Sequence, residues 1–138
     1  KVDHTGILFF LGILIAVAGL ETAGHLTLLS TWLSDTLGSI YVINAAIGVL
    51  SAVVDNVPLV AAAQGMYSLQ TFPPDHTFWE LLAYCAGTGG SMLIIGSAAG
   101  VAVMGVLGID FMWYLKRMSV PAAIGYFGGL AAFWLLWH

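Results

Sequence analysis

"LSAVVDNVPLVAAAQ" (Leu50–Gln64) sets an aspartate, an asparagine and a proline inside one of the most apolar stretches of the chain. A proline in a helix interior removes a backbone donor and clashes with the preceding turn. An ionised carboxylate in apolar surroundings is costly unless something neutralises it. Asp55 is the only acid deep in such a block, so the surroundings must explain why it is tolerated.

Those surroundings are lipid. The 138 residues are 60% hydrophobic and 7% charged, with mean hydropathy +0.98. A soluble domain solvates its surface with about 25% charged residues, which this chain does not have. Its 17 glycines suit a membrane protein, because helices in a bilayer approach closely through small residues. A net charge of −4 with three cationic residues leaves no footprint for nucleic acid. Cys85 is the single cysteine; it excludes an intramolecular disulfide and reads as a small packing residue.

The apolar segments predict an all-α integral membrane protein. A span takes about 20 apolar residues, and "GILFFLGILIAVAGL" (Gly6–Leu20) predicts a transmembrane helix over 5–20. Lys1 ahead of it would suit a signal peptide. Asp3 and the further spanning segments favour instead a piece of a longer membrane protein. Leu26, Leu29, Trp32, Leu33 and Leu37 fall at helical spacing among Thr, Ser and Asp, predicting an amphipathic arm helix over 22–37. The block 39–66 holds the opening stretch. "FPPDH" (Phe72–His76) then reads as an aqueous loop. A helix over 78–107 is interrupted at "GTGGS" (87–91), and a last transmembrane helix runs over 118–137. Pro121 is tolerated at its start, and Trp134 and Trp137 form an interfacial belt.

Charge placement bears on the threading. Lys1, Lys116 and Arg117 are the cations, and positive charge near helix ends prefers the cytoplasm. If 39–66 crossed once, the basic ends would lie on opposite sides. If it is a re-entrant hairpin with its tip at 55–58, both are cytoplasmic, "FPPDH" is outside and the hairpin opens outward. The second threading is the simpler.

Backbone that leaves the helix inside a bilayer must face protein or a water-filled cavity. The breaks at "VDNVP" and "GTGGS" meet that rule by facing each other. Helix ends at such breaks present free N–H or C=O groups to whatever lies between them. Pro58 breaks the hairpin or opens its outgoing helix; Gly87, Gly89 and Gly90 let carbonyls approach a ligand. No Lys or Arg is placed to pair with Asp55. It therefore holds a proton or is neutralised by a bound cation, and the two compete for one group. The Asp55 carboxylate, the Asn56 amide, the Thr88 and Ser91 hydroxyls and the glycine carbonyls are hard oxygen donors suited to Na⁺ or Li⁺. Plainer readings stand beside these. Asp55 can cap a helix, and the glycines of "GTGGS", Gly96/Gly100 and Gly125/Gly129 can serve packing. Asn44, Gln64 and Ser97 can bond between helices, Glu21 can be solvated, and His4, His25, His76 and His138 lie at breaks, loops or the terminus.

"SAVVDNVPLVAAAQGMY", "PPDHTFWELLAYCAGTGGSMLIIGSAAGVAVMG" and "IDFMWYLKR" closely resemble the C-terminal part of NhaD-type sodium/proton antiporters, of the ion transporter superfamily. The resemblance covers essentially the whole chain. It implies the second half of an inverted-repeat transporter, residues 1–138 being the C-terminal transport repeat. It makes "VDNVP" the hairpin tip and "GTGGS" the unwound middle of a discontinuous helix. It carries over Asp55, Asn56, Thr88 and Ser91 as cation and proton site, with the Gly87 and Gly89 carbonyls around them. It also implies a homodimer, movement of a hairpin-bearing domain against a scaffold, and a first repeat supplied outside this chain. A bacterial inner membrane is the expected location.

The expected function is secondary active exchange of Na⁺ or Li⁺ for H⁺, with no cofactor beyond the transported ions. An anion carrier of the same superfamily is the alternative within transport, and a non-transporting membrane scaffold the alternative outside it. No metal spacing of His and Cys, nucleophile–base pair or phosphate loop supports an enzyme.

Overall fold

The computed structural model describes residues 4–137; Lys1, Asp3 and His138 lie outside the described residues. The described residues form eight α-helices and no strand: α1 (His4–Thr22), α2 (His25–Leu37), α3 (Ile40–Ser51), α4 (Asn56–Met66), α5 (Thr77–Gly89), α6 (Ala98–Leu107), α7 (Phe111–Arg117) and α8 (Ser119–Trp137). A 3-10 turn, Ile94–Gly96, lies between α5 and α6. The chain is an all-α integral membrane protein.

Among the described helices α8 is long and apolar enough to cross a bilayer unbroken. It exposes Ile124, Phe127 and Leu135, as a lipid-facing or partner-facing surface requires. The part of α1 from Leu11 meets α2 at a bend of 73°, and α6 meets α7 at 111°. The second bend runs through Gly108, at φ +62°, a left-handed conformation that a Cβ disfavours. It turns the short α7 back towards the 3-10 turn and α8, against which it packs.

The α2 arm buries Leu26, Ser30 and Leu33 in one stripe. Leu29 and Trp32, expected on that stripe, are exposed: α2 meets α1, α3 and α4 without covering these two residues.

Helix α3 has 12 residues, about 18 Å at ~1.5 Å per residue, too short for a ~30 Å hydrocarbon layer. Leu37 at the end of α2 and Ile40 and Ile43 at the start of α3 share one core cluster with Met66 and Tyr67 at the exit of α4 and with Phe78 at the start of α5. The chain therefore returns to the end at which it entered, and α5 sets out from there alongside α3. The contact between α3 and α5 is the most extensive in the fold. At Gly89 an added Cβ would collide with the Gly48 backbone, so the absence of both side chains sets how closely the two helices approach.

Helix α8 is tied to this pair through tyrosines. Tyr126 is buried, and its hydroxyl donates to the Ala45 carbonyl at 2.9 Å. The Tyr84 hydroxyl donates to the Tyr126 carbonyl at 3.0 Å. Carbonyls of one helix thus accept from hydroxyls of the next, a use of polar groups suited to packing in lipid.

Candidate functional site

The hairpin break spans Ala52–Asp55, and α4 begins at Asn56. The tip expected at 55–58 lies earlier in the chain because Pro58 is accommodated inside the first turn of α4. Its missing N–H is there one of the donors that have no helical partner. Asp55 holds the N-cap position, yet its carboxylate makes no capping hydrogen bond. The side chain is partly exposed.

The second break also differs from expectation. Helix α5 continues through Gly87 and Thr88 to Gly89, and the irregular segment runs from Gly90 to Ser97 around the 3-10 turn. The local bonds explain the shift. The Thr88 hydroxyl donates back to the Tyr84 carbonyl at 2.6 Å, a bond that a helix accommodates. The fully buried Ser51 hydroxyl donates to the Ala86 carbonyl at 2.7 Å. That carbonyl would be the helical acceptor for the Gly90 N–H, which goes to the Thr88 carbonyl instead. The hairpin itself helps to end α5.

The two breaks meet. The carbonyls of Ser51 and Ala52 lie so close to Gly96 that a Cβ there would overlap them. Ser97 then caps α6, its hydroxyl accepting from the Gly100 N–H at 3.3 Å. The ends of α3 and α5 bring carbonyl dipoles towards this region, and the starts of α4 and α6 bring N–H groups.

Beside the meeting point is a cavity of about 450 Å³. Asn56 of the hairpin, Gly87, Gly90 and Ser91 of the second break, Ser97 and Tyr114 are among its lining. Of the six residues predicted from sequence, Asn56, Gly87 and Ser91 are brought together here. Asp55, Thr88 and Gly89 are not in the lining. Gly89 is buried at the α3–α5 contact, where an added Cβ would meet the Gly48 backbone. The Ser91 hydroxyl donates to the Thr88 carbonyl at 2.6 Å, which engages its proton and leaves oxygen lone pairs able to face a cation. Carbonyls of Ala86, Thr88, Gly89, Ser91 and Leu93 accept the hydrogen bonds around the break. Those of Gly87 and Gly90, both in the lining, lie outside that set. Among the described residues no cluster of three His, Cys, Asp or Glu could hold a metal ion. Hydroxyl, amide and carbonyl oxygens are the donors on offer, and they suit a weakly held hard cation.

Sequence reasoning passed over Ser51 and Tyr114. A serine just before "VDN" was the available signal for the first. The second lies in "IDFMWYLKR", where nothing local marks it.

The sequence model of the citrate transporter family (CitMHS) matches residues 1–81. Sodium/proton antiporter 1 of Arabidopsis thaliana is 54% identical over 133 residues, covering 96% of this chain and 23% of that protein. The Na⁺/H⁺ antiporter NhaD of Alkalimonas amylolytica is 40% identical over 138 residues, 98% of this chain and 27% of its own length. NhaD of Vibrio parahaemolyticus is 37% identical over 129 residues, 91% and 30% of the two chains. The chain thus spans about a quarter to a third of these relatives. No solved structure matches it.

Proposed function

We propose, from the premise that this chain belongs to the citrate transporter (CitMHS) family, that it is the C-terminal half-site of a secondary transporter exchanging Na⁺ or Li⁺ for H⁺. The observation that carries the reading is the meeting of two helix breaks beside one cavity lined by Asn56, Gly87, Gly90 and Ser91. The naming of its relatives as sodium/proton antiporters supports the choice of ions.

In this mechanism the cation is held by the Asn56 amide, the Ser91 hydroxyl and the Gly87 and Gly90 carbonyls. Asp55 stands one residue before Asn56, at the start of α4 and without a capping bond. Its carboxylate takes a proton when the cation leaves and releases it when the cation returns, so one negative charge serves both ions. A first repeat on the rest of the protein completes the site, and two copies form the scaffold against which the hairpin moves. Lys116 and Arg117 are cytoplasmic and the hairpin opens outward. The membrane is a bacterial inner membrane or, as the Arabidopsis relatives suggest, its counterpart in a plant cell.

A carboxylate-anion carrier is the second reading. The family model is described as a citrate transporter, and a cavity of about 450 Å³ has more room than a bare cation needs. The two readings separate in proteoliposomes carrying the full-length protein. Na⁺ should drive proton efflux, K⁺ and citrate should not, and Asp55→Asn should abolish the flux. Citrate uptake that survives Asp55→Asn would favour the anion carrier.

A further inference from the structure

We propose that Tyr114 is a positioning residue for the cation site, acting by holding the Ser91 carbonyl in place. The inference rests on the antiport reading above.

The Tyr114 hydroxyl donates to the Ser91 carbonyl at 2.7 Å, joining α7 to the second break across 23 positions of sequence. Both residues line the cavity. Ser91 lies just beyond α5, where carbonyls lose their helical donors. Tyr114 supplies a donor to this exposed carbonyl. On its other side Ser91 is fixed to α5, with N–H and hydroxyl both directed at the Thr88 carbonyl, at 3.1 and 2.6 Å. The peptide from Gly90 to Met92 is thus held at both ends. One tie comes from within α5 and the other from α7, which packs on α8 and on the 3-10 turn.

Tyr114 need not touch the ion. It orients the group that does: with the Ser91 carbonyl anchored, the Ser91 hydroxyl oxygen and the Gly90 carbonyl keep one direction towards the cavity. Supporting bonds of this kind decide whether ligands sit in productive geometry. Without the phenol, the segment between Gly89 and Ile94 keeps its local bonds to the Thr88 and Gly89 carbonyls but loses its tie to α7, and its oxygens are spread over more orientations. That spread weakens cation binding while leaving the translocation step in place.

The test is Na⁺-driven proton flux in proteoliposomes of the full-length protein, measured over a range of Na⁺ and of Li⁺ concentrations. Tyr114→Phe should raise the half-saturating Na⁺ concentration about five- to tenfold, the loss of one hydrogen bond. The maximal rate should stay close to wild type, and the Li⁺ to Na⁺ preference should move. Met112→Leu, at an exposed position of the same helix, should match wild type. A residue that serves only stability would lower the amount of working transporter and hence the maximal rate, without moving half-saturation. So an unmoved or lowered half-saturating concentration, a fall in maximal rate alone, or failure of Tyr114→Phe to assemble would each overturn the proposal. If wild type shows no Na⁺-driven flux, the antiport reading fails and takes this proposal with it. If wild type responds and Tyr114→Phe is indistinguishable from it, the proposal alone fails.

Discussion

The Ser51 hydroxyl and the Ala86 carbonyl, 2.7 Å apart and both buried, tie the last residue of the hairpin's first helix to the last turn of α5. The bond joins two elements that each end inside the fold. It also diverts the carbonyl that would otherwise extend α5 by one more helical bond. Two breaks separated by more than thirty residues are therefore one structure: the first helps to make the second, and the cavity lies where they meet.

Ser51→Ala should separate this coupling from simple hydrophobic packing. It leaves a similar volume but removes the donor from a buried carbonyl, at a cost of about 1–2 kcal/mol in a membrane setting. The expected result is a lower thermal transition of the purified full-length protein in detergent, with Ser51→Thr closer to wild type. A melting curve unchanged by Ser51→Ala would mean that α3 and α5 are held by their glycine contact and apolar packing, not by this bond.

Asp55 offers the reverse case. Its carboxylate sits at the N-cap position of α4 without making the capping bond, so Asp55→Ala should cost well under the ~1 kcal/mol typical of a working cap. Stability is expected to be near wild type even where transport is lost. A large drop in the thermal transition would return Asp55 to the role of a helix cap.

The class of the fold was readable because a proline, an aspartate and a glycine-rich run have few meanings inside an apolar sequence. Each marks a place where the helix stops and where polar backbone must be matched. The limits of those breaks were not readable to the residue. Pro58 is compatible with a helix that starts ahead of it, and whether α5 passes Gly87 depends on Thr88 bonding locally and on Ser51 reaching Ala86. Gly87 and Gly89 look alike in sequence, yet one lines the cavity and the other is pressed against Gly48. Tyr114 resembles any aromatic on a short amphipathic helix; only its partner, 23 residues away, distinguishes it.

The start of α5 carries its own test. His76 accepts the Phe78 N–H through Nδ1 at 3.1 Å, and its ring lies 4.8 Å from that of Phe72. His76→Ala removes both and should destabilise the protein by about 1 kcal/mol. His76→Asn, which keeps a capping acceptor, should recover part of the loss. Equal melting temperatures for the two variants would assign the effect to the ring contact and not to the cap.

The two glycines give the clearest contrast between fold and site. At Gly89 an added Cβ would meet the Gly48 backbone, whereas at Gly87 nothing lies within 4 Å. Gly89→Ala should force α3 from α5, at roughly 1–3 kcal/mol for overpacking, with loss of assembled protein on size-exclusion chromatography. Gly87→Ala should assemble normally, because its methyl group enters the cavity and not a helix contact. If its carbonyl helps to hold the cation, that methyl group narrows the space around the ion, and Na⁺-dependent flux should fall while the melting temperature holds. Assembly lost in Gly87→Ala, or retained in Gly89→Ala, would contradict the placement of these two residues on opposite sides of α5. α5 thus pairs rigidly with α3 on the Gly89 face and borders the cavity on the Gly87 face.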